Sequence, residues 1–314
     1  MGLAIEFEKP PSAEAERKAL AEVRGTGVSL FALNVSWPAA EPAPGQYRLA
    51  DVTRAARILR QSGATLHLDL PLVAGRARLV PADLSALAFD DPKLSIRLGR
   101  FFDALRPALL DFSTLSLGYE ADAYFADKPE ELRAYRRLFD GAVEFLRKLA
   151  PNLRVGVTTA APTESPAPEV AAALHQRSPI LFYIYAPFAR DKPFVHRAPD
   201  SLEKDWKRLL EGARGRPIAF SEVSYSSASE NGSSRELQAD FVRRLRRFAS
   251  ASDGGKLLFA RYVGWRDAPP GAVRVEPGSS DALRRRAAFL ANRGLQSADG
   301  KPKPAWIAWK NASR

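Results

Sequence analysis

Short runs of apolar, β-branched and aromatic residues alternate with longer stretches of helical periodicity along the whole chain, and turn residues bound each run. That alternation is the signal for a parallel sheet whose strands are joined by crossover helices. The expected strands are Leu3 to Phe7, Val28 to Ser36, Thr65 to Leu70, Leu115 to Tyr119, Arg154 to Thr159, Ile180 to Tyr185, Pro217 to Glu222 and Lys256 to Val263. The expected helices are Ser12 to Arg24, Leu49 to Ser62, Pro129 to Leu149, Pro168 to Gln176, Leu202 to Gly212, Arg235 to Ser250 and Ala282 to Asn292, with a long arm through Ala82 to Leu110 that Pro92 and Pro107 should start or interrupt. The Leu49 to Ser62 helix illustrates the pattern. Val52, Ala55, Ala56 and Leu59 fall at i, i+3, i+4 and i+7, and Gly63 stands where a left-handed residue ends a helix.

Eight such pairs, with no Pro/Gly/Ser linker long enough to separate domains, predict a single α/β domain over residues 1–314, a (β/α)₈ TIM barrel. An open doubly wound sheet is the competing architecture, and the count of pairs favours closure. A dinucleotide-binding sheet would want GxGxxG after an early strand. Arg24-Gly25-Thr26-Gly27-Val28 supplies only two of those glycines and precedes a strand, and no GxxxxGK[ST] loop occurs anywhere.

Composition then narrows the chemistry. The 46% hydrophobic and 26% charged fractions suit a globular chain with a large core, and no apolar run approaches the roughly 18 residues of a membrane span. There are no cysteines, which removes disulfides, thiolate metal sites and cysteine nucleophiles. The three histidines, His67, His175 and His196, are widely spaced and form no HExxH arrangement, so neither a metal nor a cofactor is expected. The 47 basic and 36 acidic side chains leave a net charge of +11, a surface that attracts polyanions. The densest runs, Arg243 to Arg247 and Arg284 to Arg286, read as solvated helix faces. No helix-turn-helix, RNP or zinc-finger pattern occurs and no aromatics interleave with the basic runs, so no specific nucleic-acid partner is expected.

In a barrel, functional groups come from the C-terminal ends of the strands. Strand four ends Leu115-Ser116-Leu117-Gly118-Tyr119-Glu120 and strand seven ends Ile218-Ala219-Phe220-Ser221-Glu222-Val223, each placing a glutamate after an apolar run. Either one alone reads as a helix cap or a structural ion pair. Together they are the minimum kit for glycoside hydrolysis, one carboxyl protonating the leaving oxygen and the other attacking the sugar or orienting water.

With that pair the sequence resembles the clan A glycoside hydrolases, retaining (β/α)₈ enzymes that include cellulases, mannanases and endo-galactanases. The resemblance spans most of the chain. It is carried by the loop from Trp37 through Glu41-Pro42 and Gly45 to Tyr47, by Ser116 to Phe125, by Pro217 to Tyr225, and by the tail Asp299 to Trp306. It implies Glu120 as general acid/base and Glu222 as nucleophile of a double displacement, with the two carboxyls about 5 to 5.5 Å apart. Two positions depart from the family pattern. Tyr119 stands where the family has an asparagine that contacts the sugar 2-hydroxyl, and the arginine expected near the end of strand two is replaced by a region carrying Asn34 and Ser36. Tyr185 is similar to the tyrosine that donates to the nucleophile, with Tyr183 on the same strand face as the alternative. Trp265, at the end of strand eight, is placed to floor the sugar subsite. His67, Asp69 and Trp37 extend the cleft, and Tyr225 with the Ser226 to Ser234 loop lies on its rim.

The function expected is therefore a retaining O-glycosyl hydrolase acting on a polysaccharide or oligosaccharide, an acidic one by the charge balance. The alternative is a catalytically silent barrel that binds polysaccharide within an export or cell-surface assembly. A monomer is expected. The compartment expected is secreted or periplasmic, no signal peptide being visible in this chain, with a cytoplasmic location left open.

Overall fold

The structure, a computed structural model, describes residues 1–4, 13–251 and 255–311. Its strands in chain order are β1 Gly2–Ala4, β2 Leu30–Asn34, β3 Thr65–Asp69, β4 Val73–Ala74, β5 Ala77–Arg78, β6 Thr114–Ser116, β7 Arg154–Gly156, β8 Thr158–Ala160, β9 Leu181–Tyr185, β10 Ile218–Val223 and β11 Leu257–Val263. Its helices are α1 Ala13–Arg24, α2 Trp37–Ala40, α3 Ala50–Gln61, α4 Pro92–Leu109, α5 Ala121–Asp127, α6 Pro129–Leu149, α7 Pro168–His175, α8 Ser201–Ala213, α9 Arg235–Ala251, α10 Asp281–Ala291 and α11 Pro304–Asn311. Strand-then-helix alternation dominates, interrupted by the β4–β5 hairpin, the successive strands β7 and β8 and the helix pairs α2–α3, α5–α6 and α10–α11, and the fold is an α/β parallel-strand barrel of the TIM type. The end of the first expected strand, Ile5 to Phe7, and Ser12 lie outside the described residues.

Among the described residues nine strands form the parallel sheet, not eight. The extra one arises because the expected strand Arg154 to Thr159 is broken at Val157. Its first half, β7, pairs with β6, while its second half, β8, pairs with β9. One segment therefore serves two different neighbours, which a period-two sequence pattern cannot reveal.

The described residues group into two compact units, Leu30–Ile184 and Met1–Ser29 with Tyr185–Arg314. In the first of these, β2, β3, β6 and β7 pair in parallel in that order. Leu66, Leu68, Leu115, Leu117, Val155 and Val157 point from the strands into a core shared with α3, α4 and α6. Helix α4 contributes Leu94, Leu98, Phe101, Phe102, Leu105 and Leu109, the i, i+4, i+7, i+8 stripe of an amphipathic helix. Asp91 caps it by accepting from the Lys93 amide at 2.8 Å, with Pro92 at its first position. Pro92 starts this helix as expected. Pro107 falls inside its last turn and does not end it.

In the second unit β1 pairs with β11 and β11 with β10, all in parallel. Helix α11, not foreseen from the sequence, packs against α9. The Trp309 indole donates to the Thr26 hydroxyl at 2.9 Å, and the Arg246 guanidinium lies 4.9 Å from the Trp309 ring. Arg246 is buried there, so the basic run of α9 is not wholly a solvated face. The tail just before α11 is fixed by Lys303, whose ammonium donates to both oxygens of Asp267 at 3.0 and 3.1 Å and to Ser227 Oγ at 2.8 Å. Burial raises the Asp267 pKa and lowers that of Lys303. No helix among the described residues is long and apolar enough to cross a membrane.

Candidate active site

The sheet of the Leu30–Ile184 unit has one apolar and one polar face. Alternation sends Leu66 and Leu68 toward the helices and turns His67 and Asp69 the other way. There His67 Nδ1 lies 2.8 Å from Thr114 Oγ1 and Nε2 lies 3.0 Å from Asp69 Oδ1. Each ring nitrogen of His67 thus has a hydrogen-bonding partner, Thr114 on one side and Asp69 on the other. One strand further, Ser116 Oγ donates to Gly118 O at 2.7 Å and lies 2.8 Å from Thr158 Oγ1. Phe182 closes this row, 5.0 Å from the His67 ring. His67 and Asp69 are both buried in this polar row.

Glu120 follows β6 by way of a tightly packed glycine. A Cβ at Gly118 would lie 3.0 Å from Val157 Cγ1 and 3.1 Å from both Ala121 Cβ and the Tyr135 hydroxyl. The hairpin of β4 and β5 flanks the same segment. The Tyr119 amide donates to Val73 O at 2.9 Å and the Gly75 amide to Tyr119 O at 3.0 Å. Tyr119 is thereby fixed through its backbone, with its side chain half-buried.

Glu120 itself is exposed and left-handed, with φ 46° and ψ 41°, a conformation that costs a side-chain-bearing residue about 1 kcal/mol or more. It occupies the N-cap position of α5, yet its side chain makes no capping hydrogen bond. Gly75, at φ 56°, is the close neighbour of its carboxylate: a Cβ there would stand 3.4 Å from Glu120 Oε2. The first turn of α5 is anchored instead by Asp122, fully buried, which accepts from the Ala160 amide at 3.1 Å and from the Ser165 hydroxyl. Burial raises the Asp122 pKa, against the lowering effect of those hydrogen bonds. Sequence reasoning missed Asp122; its position two residues after the glutamate, at a helix start, was the available signal.

Glu222 lies in the other unit, one residue before the end of β10, beside a register shift between Phe220 and Val223. The neighbouring strand supplies a cation. Arg261 Nε donates to Ser221 O at 2.6 Å, and its Nη2 stands 3.5 Å from Glu222 Oε1, the two side chains being 14% and 19% exposed. An arginine does stand beside Glu222, but it comes from β11 and not from the end of strand two. Its signal in the sequence was a lone charge within the apolar run Leu257-Leu258-Phe259-Ala260-Arg261-Tyr262-Val263.

Several expected site residues serve the core. Trp37 is 0% exposed and not a cleft residue. Its indole donates to Glu41 Oε2 at 2.8 Å, while Glu41 Oε1 accepts from the Gly45 amide at 2.8 Å and from Arg97 Nε at 2.6 Å. The tryptophan-to-tyrosine loop is therefore a structural clasp closed by a buried ion pair. Tyr225 is buried and not on a rim: it stacks 3.9 Å from the His196 ring, faces Phe241 on its other flank, and donates to Arg197 O at 2.8 Å. Burial pushes its hydroxyl up to about 12. Tyr185 donates at 2.9 Å to Asp205 of α8, which Arg197 also holds, and Tyr183 sits edge-on to His175 of α7 at 5.1 Å. Both tyrosines therefore pack toward helices. Trp265 is also buried, with the Arg266 guanidinium 4.1 Å from its ring centre, so it is not an open platform.

No protein-family model matches the chain, and no curated protein matches it in sequence. Solved structures do match. A GH5_18 protein from Streptomyces cattleya in complex with GlcNAc superposes with a TM-score of 0.67 at 16% identity, over 96% of this chain and 74% of that one. The exo-beta-1,4-mannosidase Op5Man5 from Opitutaceae bacterium strain TAV5 gives 0.68 at 15% identity, over 96% of this chain and 55% of that one. Native xylanase 10B from Thermotoga maritima gives 0.64 at 12% identity, over 99% and 93%. At these identities the likeness is one of fold, a parallel-strand barrel of the kind that these structures share.

Proposed function

We propose that this chain is a retaining glycoside hydrolase acting on a polysaccharide or oligosaccharide, with Glu222 as nucleophile and Glu120 as general acid/base. The observation that carries the reading is the pairing of Glu222 with Arg261 across adjacent strands. A carboxylate that attacks an anomeric carbon must be charged when it does so, and a fixed guanidinium beside it supports that state. The exposed, non-capping carboxyl of Glu120, held on a left-handed residue, supports its assignment as the group that exchanges protons with substrate and water. The fold shared with a mannosidase and a xylanase supports the reaction class.

In the first step Glu120 gives its proton to the glycosidic oxygen while a Glu222 oxygen bonds to the anomeric carbon. The bond to the leaving sugar breaks, leaving a glycosyl ester on Glu222. In the second step the Glu120 carboxylate takes a proton from water, whose oxygen attacks the same carbon and frees Glu222. Two inversions give net retention. Asp69, on the polar face of the sheet, is assigned to a sugar hydroxyl, and His67, buried with both ring nitrogens engaged, to orienting it.

The test is a glycan screen with analysis of product configuration, repeated with Glu222→Gln, Glu222→Ala plus azide, and Glu120→Gln. Retained configuration, loss of turnover in the glutamine variants and a glycosyl azide product from the alanine variant are expected. Unchanged turnover in Glu222→Gln removes it as nucleophile. Tyr119, in place of the asparagine of the resembling family, favours a second reading, a barrel that binds polysaccharide without cleaving it; glycan binding with no product from any glycan would establish that one.

A further inference from the structure

Several arginines of the unit that carries Glu222 are matched to acids. Arg197 pairs with Asp205, Arg244 with Asp240 and Glu203, Arg261 with Glu222, and Arg284 with Asp281. Arg266 is held in another way. It stands just beyond the C-terminal end of β11, exposed, with its guanidinium carbon 4.1 Å from the Trp265 ring centre. Its Nε donates to Gln296 Oε1 at 3.2 Å. Gln296 is itself immobilised: its backbone accepts from the Asp267 amide and donates to Trp265 O, and its side-chain amide donates to Glu22 at 2.6 Å. The turn at Gly300 packs alongside, where a Cβ would lie 3.4 Å from Arg266 Cζ and Nη2.

An aromatic face, a neutral amide and a glycine turn therefore fix the plane of this guanidinium without cancelling its charge. Among the described residues no carboxylate lies within ion-pair distance of it. Most of the rotamer entropy that an arginine loses on binding has already been lost here, while the terminal nitrogens keep donors for a partner. A planar fork of that kind matches the two oxygens of a carboxylate.

We propose that Arg266 is a carboxylate subsite that recognises a uronic-acid residue of the glycan. The assignment rests on the glycosidase reading for its location beside the active site, and it names the substrate class of that site. The net charge of +11 acts in the same direction, raising the local concentration of an acidic chain before the specific contact forms.

The experiment uses the full chain carrying Glu222→Gln, so that no ligand is consumed, with and without Arg266→Gln or Arg266→Lys. Titration calorimetry measures binding of galacturonate, glucuronate and mannuronate tetrasaccharides, each beside its carboxyl-reduced neutral counterpart, with a sulfated neutral tetrasaccharide as a further arm. With Arg266 intact, at least one uronate should bind about tenfold tighter than its reduced form, the ratio expected of one charge-assisted contact. Arg266→Gln should bring that ratio to about one, and Arg266→Lys should keep only a fraction of it. The proposal is overturned if no uronate is preferred, if the preference survives Arg266→Gln, or if the sulfated arm alone depends on Arg266. A uronate preference without hydrolysis by the protein lacking the Glu222 change would retire the glycosidase reading and leave the subsite standing. Hydrolysis of neutral glycans only, indifferent to Arg266, would do the reverse.

Discussion

Glu41 and Glu120 lie in the same unit, in two segments that carried the family resemblance side by side, and the structure uses them in opposite ways. Glu41 is buried with both oxygens engaged by Trp37, Gly45 and Arg97. Glu120 is exposed, makes no capping bond and is set on a backbone conformation that favours glycine. The first arrangement minimises local free energy and leaves nothing for a ligand. The second leaves the carboxyl at the surface at a conformational cost, the setting on which the proposal for Glu120 draws. Resemblance in sequence did not separate the two settings; the surroundings of each carboxylate do.

The sharpest way to break this contrast is to strip Glu41 of its cation. Arg97→Met leaves a buried carboxylate without its charged partner and should destabilise the protein by about 3 kcal/mol, read by urea unfolding. The double variant with Glu41→Gln should recover much of the loss, because the desolvated charge goes with it. If Arg97→Met is neutral, the clasp is not a structural element. Arg261→Gln probes the functional side. It should lower kcat on a cleaved glycan about a hundredfold, the scale of removing one fixed electrostatic partner from a reacting centre, with a smaller effect on unfolding than Arg97→Met. Equal kcat in the variant would detach Arg261 from catalysis.

Glu120→Gly should move stability and activity in opposite directions. Glycine accepts φ 46° freely, so the variant should gain about 1 kcal/mol in urea unfolding while losing turnover. Glu120→Gln keeps the side-chain size and should lose turnover without the gain. A destabilised Glu120→Gly would mean that contacts of the side chain outweigh the strain.

The elements were far more legible than the site. Most expected helices from Leu49 to Asn292 fall close to their limits because amphipathic periodicity and proline or glycine boundaries are local signals, and Pro129–Leu149 is matched residue for residue, whereas α2, the β4–β5 hairpin and α5 had no expected counterpart. The break at Val157 was not legible, since it depends on which two strands flank one segment. Neither was the clasp: tryptophan beside glutamate, glycine and tyrosine reads as a sugar platform until Arg97, from α4, is seen to close it. Tyr225 was misplaced for a related reason. Its partners His196 and Phe241 come from remote segments, and their stacking settles its burial. The pairing of Arg261 with Glu222 was not legible because it depends on which strands lie side by side and in what register.

The smallest effect expected belongs to Asp122, which anchors the helix that follows Glu120. Burial raises its pKa, so over the interval between its unfolded and folded values the native state binds more protons than the unfolded chain. Stability attributable to this group therefore declines as pH rises from the ordinary aspartate range through the raised value, the reverse of a salt-bridged carboxylate. Asparagine can still accept from the Ala160 amide and can accept from or donate to the Ser165 hydroxyl, but it carries no titration. Asp122→Asn should consequently unfold at nearly the wild-type urea midpoint in acid and at a higher one near neutrality, with the difference growing across that interval. A difference that shrinks as pH rises would show that the two hydrogen bonds, and not desolvation, dominate at Asp122, and the platform under Glu120 would then be held by charge in the manner of the Glu41 clasp.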